Sequence, residues 1–200
     1  MRFLATALLT AALLAPEASA QYLSSPTEGF QFGGRLYGAG LGIEDDRGND
    51  DTASGGGLGV RVGYGFSRTV TAFLSLEGAQ LTPDENEFGE EFALGTLDLG
   101  ARFNLSPSAA VNPYAEVALT GQVAAFDVPG TSETLDLRGG GLTVGGGIVY
   151  FFSQDVGLDV GVDLTAGRFT EVEFDGEVTD NFEEIDSGIV RLGFGVVWNP

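Results

Sequence analysis

Val156-Gly157-Leu158-Asp159-Val160-Gly161-Val162-Asp163-Leu164 puts an apolar side chain at every even position and Gly or Asp at every odd one. A β-strand sends successive side chains to opposite faces, so this stretch predicts a strand with one apolar face and one face of glycine and carboxylate. The same alternation recurs along the chain. Leaving aside Arg168, which opens the last long connection (about 168–187), nine charged residues fall inside strand-like segments, namely Arg35, Arg61, Glu77, Asp98, Arg102, Glu116, Asp159, Asp163 and Arg191. All nine lie on one side of the period-two pattern, and the other side is free of charge. Asp98 with Arg102, and Asp159 with Asp163, keep phase along a single strand. The pattern predicts a barrel wall with hydrocarbon outside and a filled, polar lumen inside.

Eight segments carry strand character: about 30–43, 56–66, 70–81, 93–104, 113–126, 139–152, 156–169 and 188–198. Long acidic connections follow the first, third, fifth and seventh. Short ones, Ser67-Arg68-Thr69, residues 105–112 and Ser153-Gln154-Asp155, join the others. This alternation predicts an all-β, eight-stranded antiparallel up-and-down transmembrane β-barrel with large outer loops and small inner turns. The last loop is expected to begin as an extension of the seventh strand, because Glu171 to Asp175 keeps alternating. Gly34, Gly38, Gly40 and Gly146 fall on the outward phase, where bends or bulges that curve a small barrel are expected.

Phe30, Phe32, Phe66, Phe103, Tyr150, Phe152 and Trp198 share the outward phase and the turn-side strand ends. They predict an aromatic girdle at a lipid–water boundary. A soluble barrel that holds a ligand points its apolar face inward and exposes a charged one. Here the polar phase is largely Gly, Ala, Ser and Thr, including Gly59, Gly63, Gly65, Gly145, Gly147, Gly157, Gly161, Gly193 and Gly195. Such small residues suit the cramped lumen of eight strands.

Residues 1–20 read as a cleaved signal peptide. Arg2 precedes an apolar run that is too short to span a bilayer as a helix, and Ala18-Ser19-Ala20 precedes the expected cut before Gln21. Residues 21–29 are expected to form an N-terminal extension and 30–200 the barrel. The net charge of −20 is concentrated in the long connections, while the strand-like segments hold four Arg against five acids. Acidic loops repel nucleic acid, and all nine basic residues are Arg.

The export signal, the NPYAEVALTG stretch (112–121) and the terminal VRLGFGVVW (190–198) together resemble the small outer-membrane barrels of the OmpA/OmpX-like group, outer-membrane β-barrel domain or porin-family proteins. The resemblance covers nearly all of the mature chain. It implies residence in the cell outer membrane of a Gram-negative-type bacterium, with membrane lipids and lipopolysaccharide as partners and a monomeric state. It also implies recognition of the C-terminal strand by the barrel-assembly machinery, although Asn199-Pro200 follows the final aromatic where the family usually stops on it. The peptidoglycan-binding domain of larger members is not expected here.

His and Cys are both absent. Ser–His and Cys–His nucleophile pairs and His/Cys zinc sites are therefore excluded, and no cofactor or metal is expected. Asp159 and Asp163 stand about 13 Å apart along one strand, too far to share a proton. The run Glu44-Asp45-Asp46-Arg47-Gly48-Asn49-Asp50-Asp51 matches no calcium-loop spacing. Mutual neutralisation is the expected use of the nine lumen charges, with Gln122 as a further polar partner. The function expected is a non-enzymatic barrel with a charge-plugged lumen that serves envelope integrity or surface interaction. The alternative is a narrow diffusion channel for small solutes or ions.

Overall fold

A computed structural model of the protein describes residues 27–44, 50–83, 91–127, 134–174, 177–179 and 184–200. The expected signal peptide, most of the N-terminal extension and the centre of the acidic run at 44–51 lie outside the described residues. Among the described residues nine strands form: β1 (Gly29–Glu44), β2 (Asp50–Gly65), β3 (Val70–Pro83), β4 (Phe92–Asn104), β5 (Val111–Asp127), β6 (Thr134–Phe151), β7 (Val156–Phe174), β8 (Glu177–Thr179) and β9 (Ile185–Trp198). Eight of them close a ring in which β1 to β7 pair in sequence order and β9 sits between β7 and β1, every pair antiparallel. Closure leaves the ring without a free sheet edge. The short β8 folds back on the end of β7, pairing Val172 with Thr179.

The wall is apolar on its outside. Leu58, Leu76, Leu99, Leu119, Leu192 and Phe194 are each 60–67 % exposed, although each belongs to a strand whose alternate residues are mostly buried or half-buried. An exposed apolar surface that runs round the whole cylinder is far larger than the patches of a water-soluble monomer.

The strands outrun the segments read from hydropathy, most of all at the end carrying the long connections. Strand β2 begins at Asp50 rather than near 56, β6 at Thr134 rather than 139, and β9 at Ile185 rather than 188, while β7 continues to Phe174. Much of what reads as acidic loop is therefore sheet. Above the apolar band the outer face no longer needs hydrophobic residues, so the ladder continues after the outward hydropathy signal has stopped. The predicted bulges also move. Pairing of β1 runs unbroken past Gly34, Gly38 and Gly40 on both sides, and Gly146 pairs regularly with Ala115 and Val162. The register shift lies instead between Arg138 and Gly139, opposite Thr170, at the outer end.

Two turns at the other end share one device. Ser67 Oγ accepts from the Thr69 and Val70 amides, and Ser153 Oγ accepts from those of Asp155 and Val156. In each case a Phe amide, Phe66 or Phe152, donates to the Val carbonyl that opens the next strand. The chain enters beside this end: Thr27 Oγ1 donates to the Arg68 carbonyl at 2.6 Å. Gly29, at φ +89°, makes the bend into β1, and a Cβ on Gly65 would overlap the Thr27 carbonyl.

Candidate functional site: the barrel interior

Three layers fill the lumen. Nearest the short turns, Asn112 Nδ2 donates to Asn104 Oδ1 at 2.9 Å, beside a buried cluster of Tyr114, Val149, Phe151 and Val197. The middle layer holds the nine charges, which form two groups. In the lower group, Arg61 makes a two-pronged bond to Glu116 (2.9 Å each), Arg102 Nε donates to Glu116 (3.0 Å), and Arg102 Nη1 donates to Asp159 (3.0 Å). In the upper group, Arg35 lies 2.8 Å from Glu77 and 2.7 Å from Asp163, while Arg191 Nη1 lies 2.9 Å from both Glu77 and Asp98. The contact between Arg35 Nε and Glu77 Oε1 is ionic only, because the N–H is not aligned for a hydrogen bond. Arg35 donates to Glu77 through Nη2 instead.

The strand positions explain this division. Arg102 and Glu116 are directly opposed on β4 and β5. Asp163 and Arg191 are likewise opposed on β7 and β9, yet Arg191 extends across the lumen to β3 and β4 and leaves Asp163 to Arg35. The upper group holds one carboxylate more than it holds guanidinium, and hydroxyls supply the remaining donors. Thr120 Oγ1 donates to Asp98 at 2.6 Å and Ser75 Oγ to Glu77 at 3.2 Å. Arg191 is only 1 % exposed and also donates to Thr96, Thr143 and Thr165. One guanidinium thus ties β9 to β3, β4, β6 and β7, as its planar fork permits.

Sequence reasoning missed several members of this layer. Tyr114 Oη donates to Asp159 at 2.7 Å while its ring lies 3.6 Å from the Arg102 guanidinium, and the Phe73 ring lies 4.0 Å from that of Arg61. Thr120, Thr143 and Thr165 form a chain of hydroxyl contacts at 2.5 and 2.7 Å. All of them share the inward phase, which is the signal that would have found them. Gln122, expected to join the charges, donates to Ser187 at 2.7 Å instead. It stands one inward position above Thr120, toward the outer end, opposite Thr96. Glycines make room for the charges: a Cβ on Gly59 would come within 2.7 Å of Glu77 Cγ, and one on Gly145 would overlap the Asp163 carboxylate.

The third layer corrects the expectation of a uniformly polar lumen. At the outer end, Leu41, Leu81, Phe92, Leu94, Phe169 and Ile189 pack inward with Tyr37 and small residues, so the charges lie beneath an apolar plug. Neighbouring apolar residues of opposite phase, such as Ile189 with Val190, carry this signal in the sequence.

On the outside, Phe30, Phe32, Phe66, Phe103, Tyr150, Phe152 and Trp198 are all exposed near the short turns. Phe66 and Phe152 sit on turn residues just beyond their strands. Tyr64 adds to them, with ring centroids 5.2 Å from Phe30 and 5.3 Å from Phe66.

A closed eight-stranded ring with an apolar exterior and an ion-paired interior is matched by a family model, outer membrane protein beta-barrel domain, over residues 4–197. The chain belongs to this family. Its location is the outer membrane. No curated protein sequence is similar enough to count as a relative. Among solved structures, this outer-membrane barrel is similar to Neisserial surface protein A (20 % identity, 86 % of this chain and 100 % of that one, TM-score 0.59). It is also similar to OprG of Pseudomonas aeruginosa (12 %, 87 % and 99 %, 0.52) and to Ail, the attachment invasion locus protein of Yersinia pestis (16 %, 86 % and 99 %, 0.50). At these identities the likeness concerns the fold.

Proposed function

We propose that the protein is a non-enzymatic transmembrane barrel with a closed lumen, which displays its long acidic connections on the cell surface for envelope integrity or surface contact. The observation that carries this reading is Arg191, fully enclosed mid-lumen by Glu77, Asp98 and three threonines. An ion passing through would have to break these bonds and then cross the apolar layer above them. Porins that conduct freely use about sixteen to eighteen strands. The exposed apolar band supports solvation by membrane lipid, with lipopolysaccharide around the strand ends that carry the long connections. The alternating β9, which ends on Trp198, is suited to recognition by the assembly machinery. The absence of His and Cys from the sequence supports a non-catalytic role.

The test is reconstitution in planar bilayers. The expected result is heat-modifiable gel mobility, as for a closed barrel, without sustained current. Stable unitary currents would replace this reading with the diffusion channel, and a protein that stays folded and monomeric in detergent-free buffer would refute the membrane placement.

A further inference from the structure

Above the packed apolar layer, the outer mouth of the barrel keeps an open cup of about 90 Å³. Its lining includes Leu41, Ile43, Phe92, Phe126, Leu137 and Ile185, with the Phe92 and Phe126 rings stacked at 4.6 Å. Ile43, Phe126, Leu137 and Ile185 pack on the buried cluster yet remain only partly buried themselves. They face inward, so membrane lipid does not cover them. Mouths of β-barrels are recurrent sites for small apolar ligands. The charge on the lining is also specific, because Asp51, paired in register with Ile43, is the one charged residue among the described residues of the lining. Among the described residues the nearby arginines point away: Arg138 is bound to Glu173 on the outer face, and Arg168 to Glu184 and Asp186.

We propose that this cup binds the alkyl tail of a small organic cation, with the ammonium group held at the Asp51 carboxylate. The volume admits a short alkyl segment, being smaller than the roughly 150 Å³ cavity that accepts benzene, and Asp51 on the lining fixes where the head group would lie. An anionic tail of equal length meets Asp51 and the field of a chain with net charge −20. The site goes beyond the closed-lumen reading and does not depend on whether the barrel conducts.

The sequence contains four isoleucines, and their placement provides the assay. Ile43 and Ile185 line the cup, Ile189 lies in the packed layer beneath, and Ile148 faces outward on β6. Isoleucine-methyl NMR of the folded protein in lipid nanodiscs is titrated with hexyltrimethylammonium, hexanol and hexanoate. Saturable shifts of Ile43 and Ile185, with Ile148 unmoved, are expected for the cation at roughly fivefold higher affinity than for the alcohol, and hexanoate is expected to bind least. Asp51→Asn should remove the preference for the cation over the alcohol, whereas Asp155→Asn, the same change of net charge at the opposite end, should retain it. Parallel movement of Ile148 would mean partition into lipid, and no saturable shift would mean that the cup takes no such tail. Either result overturns the proposal, as does a preference that survives Asp51→Asn. Loss of heat-modifiable mobility would instead count against the closed-barrel reading.

Discussion

Arg191 shows what a single side chain does when it cannot reach water. Its charge is met by two carboxylates, and its remaining N–H groups are largely taken up by threonine hydroxyls. Removing one partner of such a set leaves an uncompensated buried charge, so Arg191→Leu should lower stability by ~3–5 kcal/mol, read as a shift of the urea midpoint in lipid vesicles. An unchanged midpoint would mean that the charges are solvated rather than paired. Tyr114→Phe keeps the ring against Arg102 but removes the donor to Asp159, a loss of about 1.5–3 kcal/mol for a bond to a charged group. Glycine positions divide in the same way. Gly145→Ala forces a methyl group into the Asp163 carboxylate and should cost about 1–3 kcal/mol. Gly78→Ala meets nothing within 4 Å and should stay within about 0.5 kcal/mol of wild type.

The strands perform different work at their two ends. At the short-turn end they stop abruptly, because Ser67 and Ser153 satisfy the turn amides and aromatic side chains follow at once. At the other end they run on as sheet, with surface ion pairs such as Arg168 with Glu184 and Asp186. These arginine and carboxylate side chains are more than half exposed, and exposed pairs contribute little. Arg168→Ala should therefore move the urea midpoint by less than about 1 kcal/mol, in contrast with Arg191→Leu on the same sheet. A large effect would show that the strand extensions hold the barrel together rather than only rising from it. The period-two signal reported where apolar residues must face outward. Over residues 50–55, 134–138 and 185–187 no apolar residue has to face outward, and Ala53, Leu137 and Ile185 pack inward as backbone pairing extends β2, β6 and β9.

For the whole molecule, the decisive matter is what surrounds the cylinder. The one tryptophan, Trp198, is half exposed on the outer wall at the short-turn end, its ring 5.8 Å from Phe32. In vesicles, its fluorescence should be quenched more strongly by lipids brominated near the head group than by lipids brominated at the chain ends, as for an aromatic at the interface. Equal insensitivity to both would remove the girdle from the membrane.

The alternation of Val156 to Leu164, and of its counterparts, was enough to assign each strand an inner and an outer face and to place all nine charges on the inner one. That information is local, because the pleat fixes the side of every residue relative to its neighbours. It could not say that Arg191 passes over its register neighbour Asp163 to reach Glu77 and Asp98, or that Gln122 turns to Ser187. It also could not say that Leu41, Phe92 and Ile189 close the lumen above the charges. Those choices depend on how far each strand is staggered against the next when the ring closes, and closure relates residues more than a hundred positions apart, Glu77 and Arg191 among them.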